Sequence, residues 1–126
     1  MAELVNKIHE QTFDNLMGGL PVPLITKNVV IKGGAGFLKK GTVLGKFLTG
    51  DHAGKHAIVD STKTDGTQLA DVILSTDINV GTADVVAESY IQGSFNRNAL
   101  IVATGDAVDK HEEELRKLNI ILTEVL

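Results

Sequence analysis

The chain has no cysteine and no tryptophan, and its aromatic content is four phenylalanines and one tyrosine. Without cysteine there are no disulfides, no thiolate metal sites and no cysteine nucleophile, and cysteine usage says nothing about the redox compartment. With so few aromatics, a core has to be assembled from Val, Ile, Leu and Ala. The sequence also lacks a basic excess: 12 Lys and Arg stand against 16 Asp and Glu, for a net charge of −4. Nucleic-acid binders carry a basic footprint or stacking aromatics, so nucleic acid is not expected as a partner. No apolar run approaches the ~18 residues of a membrane span, and Met1-Ala2-Glu3-Leu4 lacks the basic start and apolar stretch of a signal peptide. Neither a membrane nor export by a cleaved signal is expected.

What is present is 126 residues, 43% of them hydrophobic, with 13 glycines, the length and composition of one domain rich in turns. Residues 1 to 24 read differently from the rest. Leu4, Ile8, Thr12 and Leu16 form a weak helical stripe that stops at Gly18-Gly19, and Leu20-Pro21-Val22-Pro23-Leu24 follows. Each proline removes a backbone donor and biases its predecessor to an extended form, so this stretch suits an extended arm and not a central strand.

From Ile25 the pattern is strand, turn, strand. Val29 to Ile31, Thr42 to Phe47, His56 to Val59, Leu69 to Leu74, Asp84 to Ile91 and Ala99 to Ala103 read as strands. Gly33 to Gly36, Gly50-Asp51, Thr64-Asp65-Gly66-Thr67, Val80-Gly81-Thr82 and Gln92-Gly93-Ser94 read as breaks, with Asp65-Gly66 suited to the positive φ of a tight hairpin turn. Short strands at this spacing predict an all-β sandwich or barrel. One helix is expected over 107–118, with Asp106 as N-cap, Glu112–Arg116 and Glu113–Lys117 as i,i+4 pairs, and Asn119 in a left-handed cap. Ile120 to Leu126 reads as a last strand.

The chemistry-bearing residues do not assemble into a site. Gly36 to Thr42 has phosphate-loop glycine spacing but lacks the lysine before the threonine and the following helix. Asp51, His52 and His56 could ligate a metal, but they lie in a glycine-broken loop, and the histidines are expected in solvent. Asp60, Asp65, Asp71, Asp77 and Asp84 are irregularly spaced, and several sit at turns where aspartate bonds the backbone. No serine sits in a nucleophile elbow. No catalytic residue, metal ligand or cofactor site is expected. The arm is the more informative feature: Phe13, Leu16, Met17, Leu20, Val22 and Leu24 are apolar. The residues alone leave two readings open, a tail packed on its own domain and a segment that adds to a partner's sheet edge.

Gly41-Thr42-Val43-Leu44-Gly45, Thr64-Asp65-Gly66-Thr67, Ile73-Leu74-Ser75, Gly93-Ser94-Phe95-Asn96 and Ala99-Leu100 occur in that order, followed by a polar helix and a β-rich C-terminus. In this order they resemble the lambda-type phage head decoration proteins, and Asp14-Asn15-Leu16, Pro23, Thr26, Val29 and Gly33 to Leu38 look like the N-terminal part of longer members. The resemblance covers about residues 14–126 and rests on order and spacing; the first dozen residues lie outside it. It implies a mainly β fold, a β-clip-like small incomplete barrel with one helix in the C-terminal half and an extended N-terminal arm. The arm would be residues 1–24 and the β-clip domain residues 25–126. It implies a structural protein without catalysis or cofactor, made in the host cytoplasm and placed on the outer surface of the phage head. There it would bind the major capsid protein as a homotrimer at three-fold sites of the expanded head and hold the shell against internal DNA pressure. Phe13, Asp14, Asn15, Leu16, Met17, Leu20, Val22 and Leu24 are the candidate capsid-binding residues. Two other readings are a self-associating module of a phage tail or surface assembly and a small trimeric β-enzyme such as a nucleotide hydrolase. The second needs a placed acid and a phosphate loop that the sequence does not supply.

Overall fold

β-branched and aliphatic runs, cut by glycine, become eight strands in the computed structural model, which describes residues 22–124. They are β1 (Ile25–Ile31), β2 (Gly36–Leu38), β3 (Val43–Lys46), β4 (His56–Ile58), β5 (Ala70–Leu74), β6 (Ile78–Val80), β7 (Val85–Asn96) and β8 (Ile120–Thr123). A 3-10 turn at Arg97–Ala99 follows β7, and a second at Val108–His111 leads into α1 (Glu112–Arg116).

Five strands run in the order β1-β4-β3-β5-β7, and β7 pairs back onto β1. This closes a small barrel. The seam is thin: β1 meets β4 in parallel through the register pair Ile31–His56, with the Lys32 N–H donating to the His56 carbonyl at 3.0 Å. The incomplete barrel expected of the fold is this seam. β7 is the spine. Its first part pairs antiparallel with β1, Ser89 and Tyr90 also pair with β5, and Gly93 to Asn96 pair in parallel with β8. β2 and β6 form a separate two-stranded ribbon.

Successive strand residues face opposite ways, and here both faces of the central strands are covered. Leu44, Val72 and Leu74 join Val29, Ile31, Leu38, Val80 and Ala87 in one apolar cluster. Val43 and Ile73 turn the other way, onto Val59, Ala70, Leu115, Ile120 and Leu122 beneath α1 and β8. Double burial explains why β3 and β5 read as continuous apolar runs and not as an alternation. Burying each of these aliphatic side chains is worth roughly 1.5–3 kcal/mol.

Several expectations are corrected. Gln92-Gly93-Ser94 does not break a strand, since β7 runs through it; the glycine leaves room there for Leu24 and Phe95. The run Ala99 to Ala103 is no strand: Arg97–Ala99 coils, and only Ile101 bridges, to Thr42. Gly36 and Val80, read as parts of breaks, belong to short strands: Gly36 to Leu38 and Ile78 to Val80 pair with each other. Gly66 has the expected positive φ, 112°, but it is no hairpin turn, because its loop links β4 to β5 across β3, which lies between them. The expected helix over 107–118 is a 3-10 turn followed by five α-helical residues. The reason is tertiary. The N-cap is Ala107, because the Asp106 carboxylate is drawn to Ser61 and His111 as well as to the Ala107 N–H. Glu112 is likewise held by Arg97 in a two-pronged pair at 2.9 and 3.0 Å, while Arg116 takes Glu113. Asn119 does adopt the left-handed cap, at φ 68°. β8 spans Ile120–Thr123, and the last two residues lie outside the described chain.

Candidate functional site

The described residues begin at Val22 and enter the fold at β1. Of the candidate capsid-binding residues, Phe13, Asp14, Asn15, Leu16, Met17 and Leu20 lie outside the described residues. Val22 is half-buried and Leu24 is exposed, at 60%. Pro23 and Leu24 are fastened to β7: the Gln92 side-chain amide donates to the Pro23 carbonyl at 3.2 Å, and Leu24 stands against Gly93, where an added Cβ would come within 2.6 Å of its Cδ2. β1 then pairs with β7 from Ile25–Gln92 to Ile31–Val85, with a bulge between Ile25 and Thr26. Its opposite edge meets β4 only at Ile31, so among the described residues Ile25 to Val30 present an unpaired strand edge. An open edge is a template for another strand, and beside it stand exposed Leu24 and Ile25.

Sequence reasoning missed a second set of apolar groups. Phe37 and Ile101 are exposed beside a groove of about 350 Å³ that Ile58 also lines. Leu48, Leu69 and Leu118 surround a groove of about 340 Å³ with Lys46 and Lys117 at its sides. Each comes from a separate segment, so no local signal marks them; only the fold brings them together.

The titratable groups are structural. Asp60 and Asp65 each accept from the hydroxyl and N–H of the threonine two residues on, which holds both carboxyls below the usual range. Asp84 is lowered by its 2.6 Å pair with Lys55 and by the Gly33 N–H. Asp77 accepts from the Lys40 N–H at 2.7 Å. Asp60 and Asp65 take the turn role expected of several of these aspartates, whereas Asp77 and Asp84 fasten segments distant in sequence.

The expectation that the loop histidines lie in solvent holds for His52 and fails for His56, which is buried, as is His111 in the segment leading into α1. The Nε2 atom of His56 lies 2.7 Å from Asp71, whose carboxyl this bond lowers against the opposing effect of burial. His111 sits between Asp106 and Glu114 at 2.7 Å each. Burial works to raise the Asp106 carboxyl, but hydrogen bonds from His111, Ala107 and Ser61 outweigh it and hold the group at about 2. Among the described residues no three His, Asp or Glu side chains converge as a metal site, and no helix is long and apolar enough to cross a membrane. The hollow of about 410 Å³ between Lys32 to Ala35 and the 60–67 loop includes Asp60 and Asp65, whose carboxylates are already engaged.

Fold and surface together define a small β-barrel module with an apolar-flanked open strand edge, in which Asp60, Asp65, Asp77, Asp84 and Asp106 and the buried His56 and His111 are engaged in holding the fold. The family model described as bacteriophage lambda head decoration protein D matches residues 6–121, and the chain belongs to that family. It is a phage head decoration protein, a structural component of the virion associated with the capsid. The match begins nearer the N-terminus than the residues that carry the resemblance, taking in part of the first dozen, and ends at Ile121. No curated protein matches the chain.

Proposed function

We propose that the protein binds the outer surface of the expanded head as a homotrimer at three-fold positions and cements the shell against the pressure of packaged DNA. Membership of the decoration family over residues 6–121 carries this reading. Residues 1–24 act as the arm that contacts the major capsid protein, with Phe13, Asp14, Asn15, Leu16, Met17, Leu20, Val22 and Leu24 as its contact residues, and residues 25–126 form the domain that positions it. The open β1 edge and exposed Leu24 and Ile25 support that division, because a capsid strand laid along the edge would continue the sheet and cover both side chains. The protein is made in the host cytoplasm and needs neither nucleic acid nor membrane; a net charge of −4 suits a place outside the shell, away from DNA. The reaction is physical, without catalysis, metal or cofactor. A trimer ties several capsomer edges at once, and selectivity for the expanded lattice follows when the docking edge and the right spacing exist only after expansion.

The test is co-sedimentation of the purified protein with heads before and after expansion. Binding to expanded heads alone, near one trimer per three-fold position, is expected. A folded protein that sediments with neither form would overturn the proposal.

A further inference from the structure

His111 is 1% exposed, and both of its ring nitrogens are engaged. Nε2 lies 2.7 Å from Oδ2 of Asp106, and Nδ1 lies 2.7 Å from Oε1 of Glu114. An ionised carboxylate only accepts, and a neutral imidazole carries a single N–H. Two contacts of this length therefore require two ring protons; with one, a ring lone pair would face a carboxylate oxygen. The carboxylates stand on opposite sides of the ring and do not converge on a point that an ion could fill.

Each carboxylate is tied to another part of the fold. Asp106 accepts from the Ser61 N–H and hydroxyl at 3.0 Å each and from the Ala107 N–H at 2.8 Å. Glu114 Oε1 also accepts from the Ala70 N–H, at 2.8 Å. The ring is thus the centre of a joint between the β4–β5 loop, the turn before α1, α1 itself and the first residue of β5. The surrounding charges are accounted for. From the loop, Asp60 acts on Asp106 and is offset by Lys63; on the ring's own helical segment, Asp109 and Glu112 are held by Arg97; on β5, Asp71 is bonded to His56.

We propose that His111 is a proton-operated clamp: as an imidazolium it locks the β4–β5 loop, α1 and the start of β5 together, and loss of one ring proton opens that joint while the barrel stays folded. Ala70 and Glu114 also line the Leu48–Leu69–Leu118 groove, so the wall of that groove is released with the clamp. The direction follows from the contacts. Burial lowers the ring's affinity for its second proton, but the two carboxylates outweigh burial and leave the pKa raised. A raised folded value means that the stabilisation is complete below the ordinary imidazole value of about 6.5 and is lost as pH rises through the folded value.

The experiment is ring-nitrogen NMR of the full chain from about pH 5 to 9, the range in which histidine titrates, with amide exchange read beside it. The expected result is a His111 ring that stays doubly protonated above about pH 6.5. Protection of the Ser61 and Ala70 amides should fall once it titrates, while Val72 and Leu74 keep theirs. In His111→Gln that step should be absent. The proposal is overturned by a His111 ring carrying one proton at about pH 6, by the step persisting in His111→Gln, or by Val72 and Leu74 losing protection together with Ala70. The wild-type ring spectrum decides the matter even where the variant does not fold.

Discussion

Two glycines show how single residues hold this fold. Gly66 has a φ of 112°, and a Cβ built on it would come within 2.7 Å of the Leu48 N–H nitrogen, a backbone atom that cannot swing aside. The loop from β4 to β5 passes over the end of β3 there, and only a residue without a side chain lets it pass so closely. Gly66→Val should therefore lower the melting temperature markedly: conformational strain alone is of order 1–3 kcal/mol, and each kcal/mol shifts a domain of this size by about 4 °C or more. An unaltered melting temperature would refute the assignment. Gly93, at φ 153°, meets flexible side-chain ends instead, Leu24 Cδ2 at 2.6 Å and Phe95 Cζ at 2.9 Å. Gly93→Ala should be the milder change in thermal melts, and its main effect should be to push Leu24 away from β7. Equal losses in the two variants would show that the backbone collision at Gly66 adds nothing beyond its φ.

At the scale of elements, what each strand buries decides what it tolerates. Leu74 of β5 is fully buried in the cluster inside the barrel, whereas Val86 of β7 is 62% exposed although it is flanked by Val85 and Ala87, which both pack on that cluster. Leu74→Ala should cost about 2–5 kcal/mol, and Val86→Glu should stay within about 0.5 kcal/mol; chemical denaturation of both measures the contrast, and a large loss in Val86→Glu would mean that β7 is faced the other way. The same alternation sets how much could be read beforehand. β1, β3, β5 and the first part of β7 are legible from the short β-branched and aliphatic stretches they contain, Val29 to Ile31, Val43-Leu44, Val72 to Leu74 and Val85 to Ala87. β2 and β6 are three residues each, beside glycine, and exist only because they pair with one another. Gly93 reads as a breaker, since nothing local tells that β8 and Leu24 will pack around it. The helix is misjudged because its capping aspartate and Glu112 are drawn to Ser61, His111 and Arg97, partners that come from other parts of the chain. The buried histidines are hidden for the same reason: His56 depends on Asp71 across β3, and His111 is enclosed by two carboxylates and the Leu115 cluster. The expectation of an arm rests on composition and falls mostly outside the described residues; the grooves at Leu48 and Phe37 have no such local mark, being assembled from distant segments.

For the whole molecule, the division of labour between barrel and arm is what the proposed function depends on. Among the described residues, both apolar clusters are built from positions at or beyond Val29. Deleting residues 1–24 should leave a cooperatively melting domain that no longer sediments with expanded heads. A deletion that unfolds the chain would make the arm part of the core, and one that folds and still binds would move the contact to the barrel. Phe13→Ala and Leu16→Ala grade the same question, since burying such a side chain is worth roughly 1.5–3 kcal/mol and anchors concentrate binding energy; unchanged head occupancy would clear both residues. In the proposed trimer three arms would share the entropy of encounter, because once one is docked the others would bind at an effective concentration set by their tethers. On that proposal a loss at each arm is multiplied across the trimer. Leu16→Ala should lower head occupancy more steeply than it lowers the affinity of one isolated arm for its capsid site. Equal losses in the two measurements would mean that the arms act singly, and the cementing role would then have to come from the barrel.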